Sequence, residues 1–174
     1  MIYFMQKIFT IKKKVTIKKQ QMRIIRRVFC VILIILLSFY VSQNYFQLAI
    51  IQGKSMSPTY HNFQFVLLDV RKKQPSVGDV VAFWSDETKS VLIKRVAACP
   101  GDTIQIKDGV LYLNKENSKQ YDQVYFDYAG IAASPLELGE DEYFVIGDNI
   151  KESKDSRYEQ IGVISGSEIR GCVV

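Results

Sequence analysis

A chain of 174 residues, 48% of them hydrophobic, has room for one globular domain and an appendage and can fill a core. Its net charge of +5 is unevenly spread: residues 1–27 hold nine of the 23 Lys and Arg and no acid, whereas residues 28–174 hold fourteen basic against eighteen acidic side chains. The surplus is a basic tail directly ahead of an apolar span, which argues for membrane topology over nucleic acid binding.

In chain order, the first element is that tail, residues 1–27. Residues 28–50 follow as a transmembrane anchor: no charge occurs from Val28 to Gln52, and Val28 to Val41 is nearly continuous apolar sequence. About twenty residues cross the hydrocarbon core as a helix. Tyr40, Tyr45 and Phe46 suit the outer interface. With Arg23, Arg26 and Arg27 in the tail, the positive-inside rule puts the N-terminus in the cytoplasm and residues 51–174 outside the plasma membrane. A cleaved signal peptide is the competing reading, but Gln43 to Gln52 lacks a small-x-small cleavage pattern.

Beyond the anchor comes Ser55-Met56-Ser57-Pro58-Thr59, then short apolar runs bounded by turn residues. Strands are predicted at 63–68, 80–84 and 91–96, with Pro100-Gly101-Asp102 turning the chain. Residues 103–106 and 110–113 alternate around Lys107-Asp108-Gly109, a hairpin signal. Residues 115–140 are more polar and read as a surface excursion; strand character resumes at 143–146, 162–164 and 169–174. No long helical apolar period occurs after the anchor, so the domain is predicted to be mainly β.

Three cysteines, Cys30, Cys99 and Cys172, have neither C-x-x-C spacing nor a His/Cys cluster, which argues against zinc. No metal or other cofactor is expected. Cys99 and Cys172 are free to pair, with buried thiols the favoured alternative.

The chemistry lies in the serines and one lysine. A serine hydroxyl attacks an acyl carbon slowly unless a base takes its proton. The single histidine, His61, stands six positions from Ser55 beside a predicted turn. Lys94 is the other base within the strand pattern. On a strand, Leu92, Lys94 and Val96 share a face, so the lysine lies among apolar side chains while Arg95 points away. Burial disfavours the ammonium and prepares a neutral amine. Taken singly, Ser55 also reads as a turn hydroxyl before Pro58, and Lys94 as a solvated strand residue. A third element, Gly147-Asp148-Asn149-Ile150-Lys151-Glu152-Ser153-Lys154-Asp155-Ser156-Arg157, is a polar loop after a strand.

The ordered series of anchor, Ser-Met-x-Pro-Thr, Gly78-Asp79-Val80-Val81, Lys94-Arg95-Val96, Pro100-Gly101-Asp102 and the Gly147 loop resembles the type I signal peptidases, peptidase family S26, in their small Gram-positive form. The resemblance covers almost the whole chain after the anchor. It implies a signal-peptidase-like β-fold outside the membrane, preceded by one transmembrane helix, in which Ser55 is nucleophile and Lys94 general base and then acid. Ser153 matches the serine that orients the lysine. Asp148, Asp155 and Arg157 match structural groups near the site. Some relatives place a serine in the oxyanion hole where this chain has Gly53, which leaves the task to the Ser55 N–H and main chain near Gly53. Substrate is expected as an added strand along Ile51-Gln52-Gly53 and Val91 to Ile93, with Ile51, Met56, Leu92 and Ile93 forming pockets for small residues. Ile150 departs from a usual arginine, Tyr60 from a common leucine, and Cys99 before the Pro100 turn is unusual.

The implied activity is removal of signal peptides from exported preproteins, with membrane lipid as the other partner. Three rivals stand beside it: an assembly factor that holds pilin subunits without cutting them, a self-cleaving repressor, and a nucleic-acid binder. Intact Ser55, Lys94 and Ser153 argue against the first, the anchor against the other two.

Overall fold

The computed structural model of the chain describes the backbone of residues 2–174 and the side chains of residues 18–174. Residues up to Gln43 form one compact unit and Asn44–Val174 a second. The first is helix α1, Ile2–Asn44. Its stretch Lys18–Asn44 is long and apolar enough to cross a membrane, spanning about 40 Å at about 1.5 Å per residue. Large apolar side chains from Met22 to Val41 are exposed along it, an arrangement that suits lipid better than water.

The second unit is mainly β. Its strands are β1 (Phe46–Ile50), β2 (Phe65–Asp69), β3 (Val80–Ser85), β4 (Ser90–Ala98), β5 (Thr103–Lys107), β6 (Val110–Leu113), β7 (Glu116–Asn117), β8 (Leu136–Glu137), β9 (Glu142–Ile146), β10 (Ile164–Ser165) and β11 (Ile169–Val173). They form a seven-stranded sheet in the order β1-β2-β11-β3-β4-β9-β10 and a four-stranded sheet in the order β7-β6-β5-β8. Every pairing is antiparallel.

Two boundaries differ from the sequence reading. Residues 46–50, counted with the anchor, are a strand: α1 stops at Asn44, and Phe46-Gln47-Leu48-Ala49-Ile50 pairs residue by residue with β2. The absence of charge made the two elements look continuous. Residues 115–140 are not a simple surface excursion. Tyr121, Phe126, Ala132 and Leu138 are buried with Ile104, Ile106 and Leu111 of the smaller sheet and with Phe144 and Ile146 of β9. Their irregular spacing matches neither a strand nor a helix, so periodicity could not reveal this packing.

Pairing leaves two strand edges open toward one groove. β1 ends the large sheet, bonded only to β2. In β4, Arg95, Val96 and Ala98 register with β9, whereas Ser90 to Lys94 pair with β3 alone. Segments 47–52 and 90–94 flank a groove of about 540 Å³ that contains Ser55 and Lys94. On the β1–β2 hairpin, Leu48 opposite Leu67 and Ile50 opposite Phe65 form an exposed apolar face.

Candidate active site

Strand alternation carries Lys94 inward. Leu92 and Val96 join the apolar cluster of Val81, Phe83 and Val145, while Ile93 joins that of Ile51, Val66 and Ala82. Lys94 is 3% exposed, and its Nζ lies 2.7 Å from Ser55 Oγ. Burial pulls its pKa from 10.5 down to about 8; the Asp155 and Asp148 charges oppose the fall and Arg157 adds to it. A neutral amine at this distance can accept the serine proton.

Ser55 sits in a bend fixed from several sides. Its carbonyl accepts from the Asn149 N–H at 2.9 Å, and the Lys54 carbonyl accepts from Ser57 N–H at 3.1 Å and Asn149 Nδ2 at 3.3 Å. Gly53 is at φ +90°, a conformation side chains disfavour, and its N–H donates to Asn62 Oδ1 at 2.9 Å. That bond corrects the expectation for Gly53: its N–H is already taken, whereas the Ser55 N–H has no acceptor among the described residues. Ile51 and Met56 are buried and line the groove with Leu92 and Ile93.

The Gly147 loop closes over this bend. A side chain at Gly147 would meet Ser153 Oγ and, at 2.6 Å, the Ser55 carbonyl. Ser153 is 2% exposed, and its Oγ has no hydrogen-bond partner among the described residues, so the expected bond to Lys94 is not made in this resting arrangement. Asp155 and Arg157, 0% and 1% exposed, pair through Nε–Oδ1 at 2.8 Å and Nη2–Oδ2 at 3.0 Å. Asp155 also accepts from Gly147 N–H, and Arg157 donates to the carbonyls of Ile150 and Ser153. The pair thus ties the two ends of the loop together. Ile150 packs its side chain against the core of the smaller sheet.

Sequence reasoning missed a second pair. Arg95 grips Asp148 with Nε–Oδ1 at 2.8 Å and Nη2–Oδ2 at 2.6 Å, and Thr59 Oγ1 donates to Asp148 Oδ2 at 2.5 Å. Asp148 therefore joins the Gly147 loop to β4 and to the bend after Ser55. Arg95's outward direction and Thr59 in its motif were visible in the sequence; their shared partner, 53 and 89 positions away, was not.

The remaining singled-out groups stand apart from this chemistry. His61 is exposed and makes no side-chain bond to Ser55. Tyr60 packs beside Ile51 and Val66. All three cysteines are free; Cys99 Sγ reaches the Pro75 carbonyl, Cys172 Sγ that of Lys72, and burial raises both thiol pKa values. Among the described residues, no three His, Cys, Asp or Glu gather as metal ligands would.

A family model described as signal peptidase, peptidase S26, matches residues 21–174. The chain is 31% identical over 166 residues to a signal peptidase I P of Bacillus subtilis subsp. natto, covering 88% of this chain and 89% of the relative. It is 33% identical over 153 residues to a signal peptidase I of Bacillus licheniformis, covering 81% of each. A solved signal peptidase I from Enterococcus faecalis V583 is 28% identical, with a TM-score of 0.47, over 58% of this chain and 97% of the solved one.

Proposed function

The chain belongs to the signal peptidase family, peptidase S26, and is a serine peptidase that cleaves signal peptides from exported preproteins; we propose that it does so with a Ser55–Lys94 dyad. The observation that carries the dyad is the 2.7 Å contact between Ser55 Oγ and a lysine Nζ that burial has made less basic. With a pKa of about 8, about a tenth of Lys94 is neutral at pH 7, against about one part in three thousand at 10.5.

Substrate enters the groove as an extended strand between the open edges of β1 and β4, the residues before the cut running away from Ser55 along Gly53 to Gln47. Shallow walls of Ile51, Met56, Leu92 and Ile93 accept small side chains nearest the cut. The neutral Lys94 amine takes the Ser55 proton as Oγ adds to the scissile carbonyl. The unoccupied Ser55 N–H faces the developing oxyanion. The lysine ammonium then protonates the leaving amine, which frees the mature protein and leaves the signal peptide esterified to Ser55. Lys94 next deprotonates a water, and hydrolysis of the ester restores the serine. Ser153 orients Lys94 during turnover; Asp148, Asp155 and Arg157 hold the loop that places it.

The helix within Lys18–Asn44 anchors the protein in the plasma membrane. The tail lies inside and the β domain outside, an orientation supported by the basic residues Arg23, Arg26 and Arg27 ahead of the apolar span. The exposed apolar face of Leu48, Ile50, Phe65 and Leu67, whose first residue is four positions after the end of α1, supports contact with lipid.

The test is incubation of the detergent-purified chain with exported precursors, beside Ser55→Ala, and proteolysis of intact spheroplasts. Ser55-dependent cleavage and external digestion of residues after 52 are expected. Cleavage by Ser55→Ala overturns the dyad, and a protected β domain overturns the orientation.

A further inference from the structure

Besides Lys94, the groove lining contains one ionised side chain, Arg170. It comes from β11, whose register against β3 slips between Ile169, opposite Phe83, and Gly171, opposite Ala82. Arg170 is the extra residue of that bulge, and bulges re-aim side chains beside sites. Lys73 pins the bulge, its Nζ donating to the Ile169 and Arg170 carbonyls at 3.0 and 2.9 Å. Asp69, opposite Cys172 on β2, pairs with Arg71, and Asp79 with Lys72, each at 2.7 Å. Among the described residues, nothing bonds to the Arg170 guanidinium, which is left as an uncompensated, solvent-accessible cation.

Sheet register fixes where along the groove it lies. Cys172 is in line with Val81 and Lys94, so Arg170 is displaced from that line toward Ser90. On the other wall Val173 is in line with Leu68 and Gln47, and Arg170 lies beyond them, away from Ile51 and Ser55. Through β3, Gly171 is in line with Ile93 and Ile169 with Leu92, so on the β4 wall the Arg170 backbone stands only one to two residues past Lys94, about 3–7 Å at about 3.3 Å per strand residue. The β4 wall thus sets Arg170 nearer the cut and the β1 wall sets it beyond Gln47, and a peptide held as proposed above, with its scissile carbonyl at Ser55, brings roughly its fourth to sixth residue before the cut between those two positions.

We propose that Arg170 is a specificity-determining residue that recognises an acidic side chain, Asp or Glu, at that distance before the cut in the preprotein. The assignment rests on the groove and dyad reading. It adds a charge preference to a site otherwise selecting for size. A lysine at the same place meets Arg170 and Lys73 without a counter-charge and is disfavoured.

The experiment uses the full chain in neutral detergent micelles and precursor peptides that differ only in Glu, Gln or Lys at the fourth, fifth or sixth position before the cut. The readout is the ratio of kcat/KM for Glu over Lys. The wild type should favour Glu by about threefold to tenfold at low salt, less at 0.5 M salt, at one or more of these positions. Arg170→Lys should keep the preference, Arg170→Gln should erase it and Arg170→Glu should invert it, which a merely structural residue would not do. Binding of the same labelled peptides to Ser55→Ala reads the preference without turnover. Cleavage by Ser55→Ala would therefore sink the dyad alone. A wild type without charge discrimination in either readout, or an Arg170→Glu chain that still favours Glu, overturns the Arg170 assignment.

Discussion

Replacing Lys94 by methionine should silence cleavage and strengthen the fold. Lys94 is 3% exposed, and burial lowers its pKa from 10.5 to about 8. Each tenfold change in the equilibrium is worth about 1.36 kcal/mol, so below pH 8 holding the proton in the folded state costs about 3 kcal/mol. Both folded and unfolded chains are protonated there, and the full penalty applies. Between pH 8 and 10.5 the unfolded chain keeps a proton that the folded chain has released, so wild-type stability climbs with pH through this window. Methionine fills similar volume without a charge but forgoes the contact with Ser55, worth about 1 kcal/mol. The net expectation is a gain of about 2 kcal/mol at pH 7 that shrinks to nothing or reverses near pH 10.5. Trp84, the single tryptophan, lies in β3, so its fluorescence during guanidinium unfolding of the micelle-held chain follows the β domain. A Lys94→Met chain that is less stable than wild type at pH 7, or whose advantage is the same at pH 7 and 10, would refute the reasoning.

Gly147→Ala drives a Cβ into Ser153 Oγ and the Ser55 carbonyl. Overpacking there should cost about 1–3 kcal/mol, and cleavage should fall well beyond that as Ser55 moves from Lys94; precursor kinetics and Trp84 unfolding read the two losses. Ser153→Ala removes a hydroxyl with no bond in the resting protein, so stability should stay within about 0.5 kcal/mol while kcat drops about tenfold. Wild-type turnover in that variant removes Ser153 from the site. Asp155→Asn leaves the Arg157 guanidinium buried without its counter-charge, and unfolding should show a loss of about 3–5 kcal/mol. A loss below 1 kcal/mol would show that the pair does not hold the loop.

What was legible in the chain was local. The Leu92-Lys94-Val96 alternation placed Lys94 on an apolar face because a strand has a period of two. Lys107-Asp108-Gly109 foretold a hairpin because Asp108 and Gly109 adopt the positive φ values, 52° and 77°, that its turn needs. The motif order singled out Ser55 and the Gly147 loop. What stayed hidden was set by contacts between distant residues. Asn62 holding Gly53, and Asp148 gathering Arg95 and Thr59, leave no periodic trace. The open edge of β4 depends on where β9 stops pairing. Arg170 gives no sequence signal of its own, because its place in the groove follows from a register slip.

The central claim is that Lys94 works as a neutral base and not as a fixed cation. Precursor cleavage by wild type and by Lys94→Arg, followed across pH 6 to 10 on chains shown to be folded by Trp84 fluorescence, tests it most directly. Wild-type kcat/KM should rise with pH through a midpoint near 8, where the amine loses its proton, and Lys94→Arg should be inactive throughout, since a guanidinium keeps its charge. A Lys94→Arg chain that cleaves at a rate comparable to wild type would contradict the account.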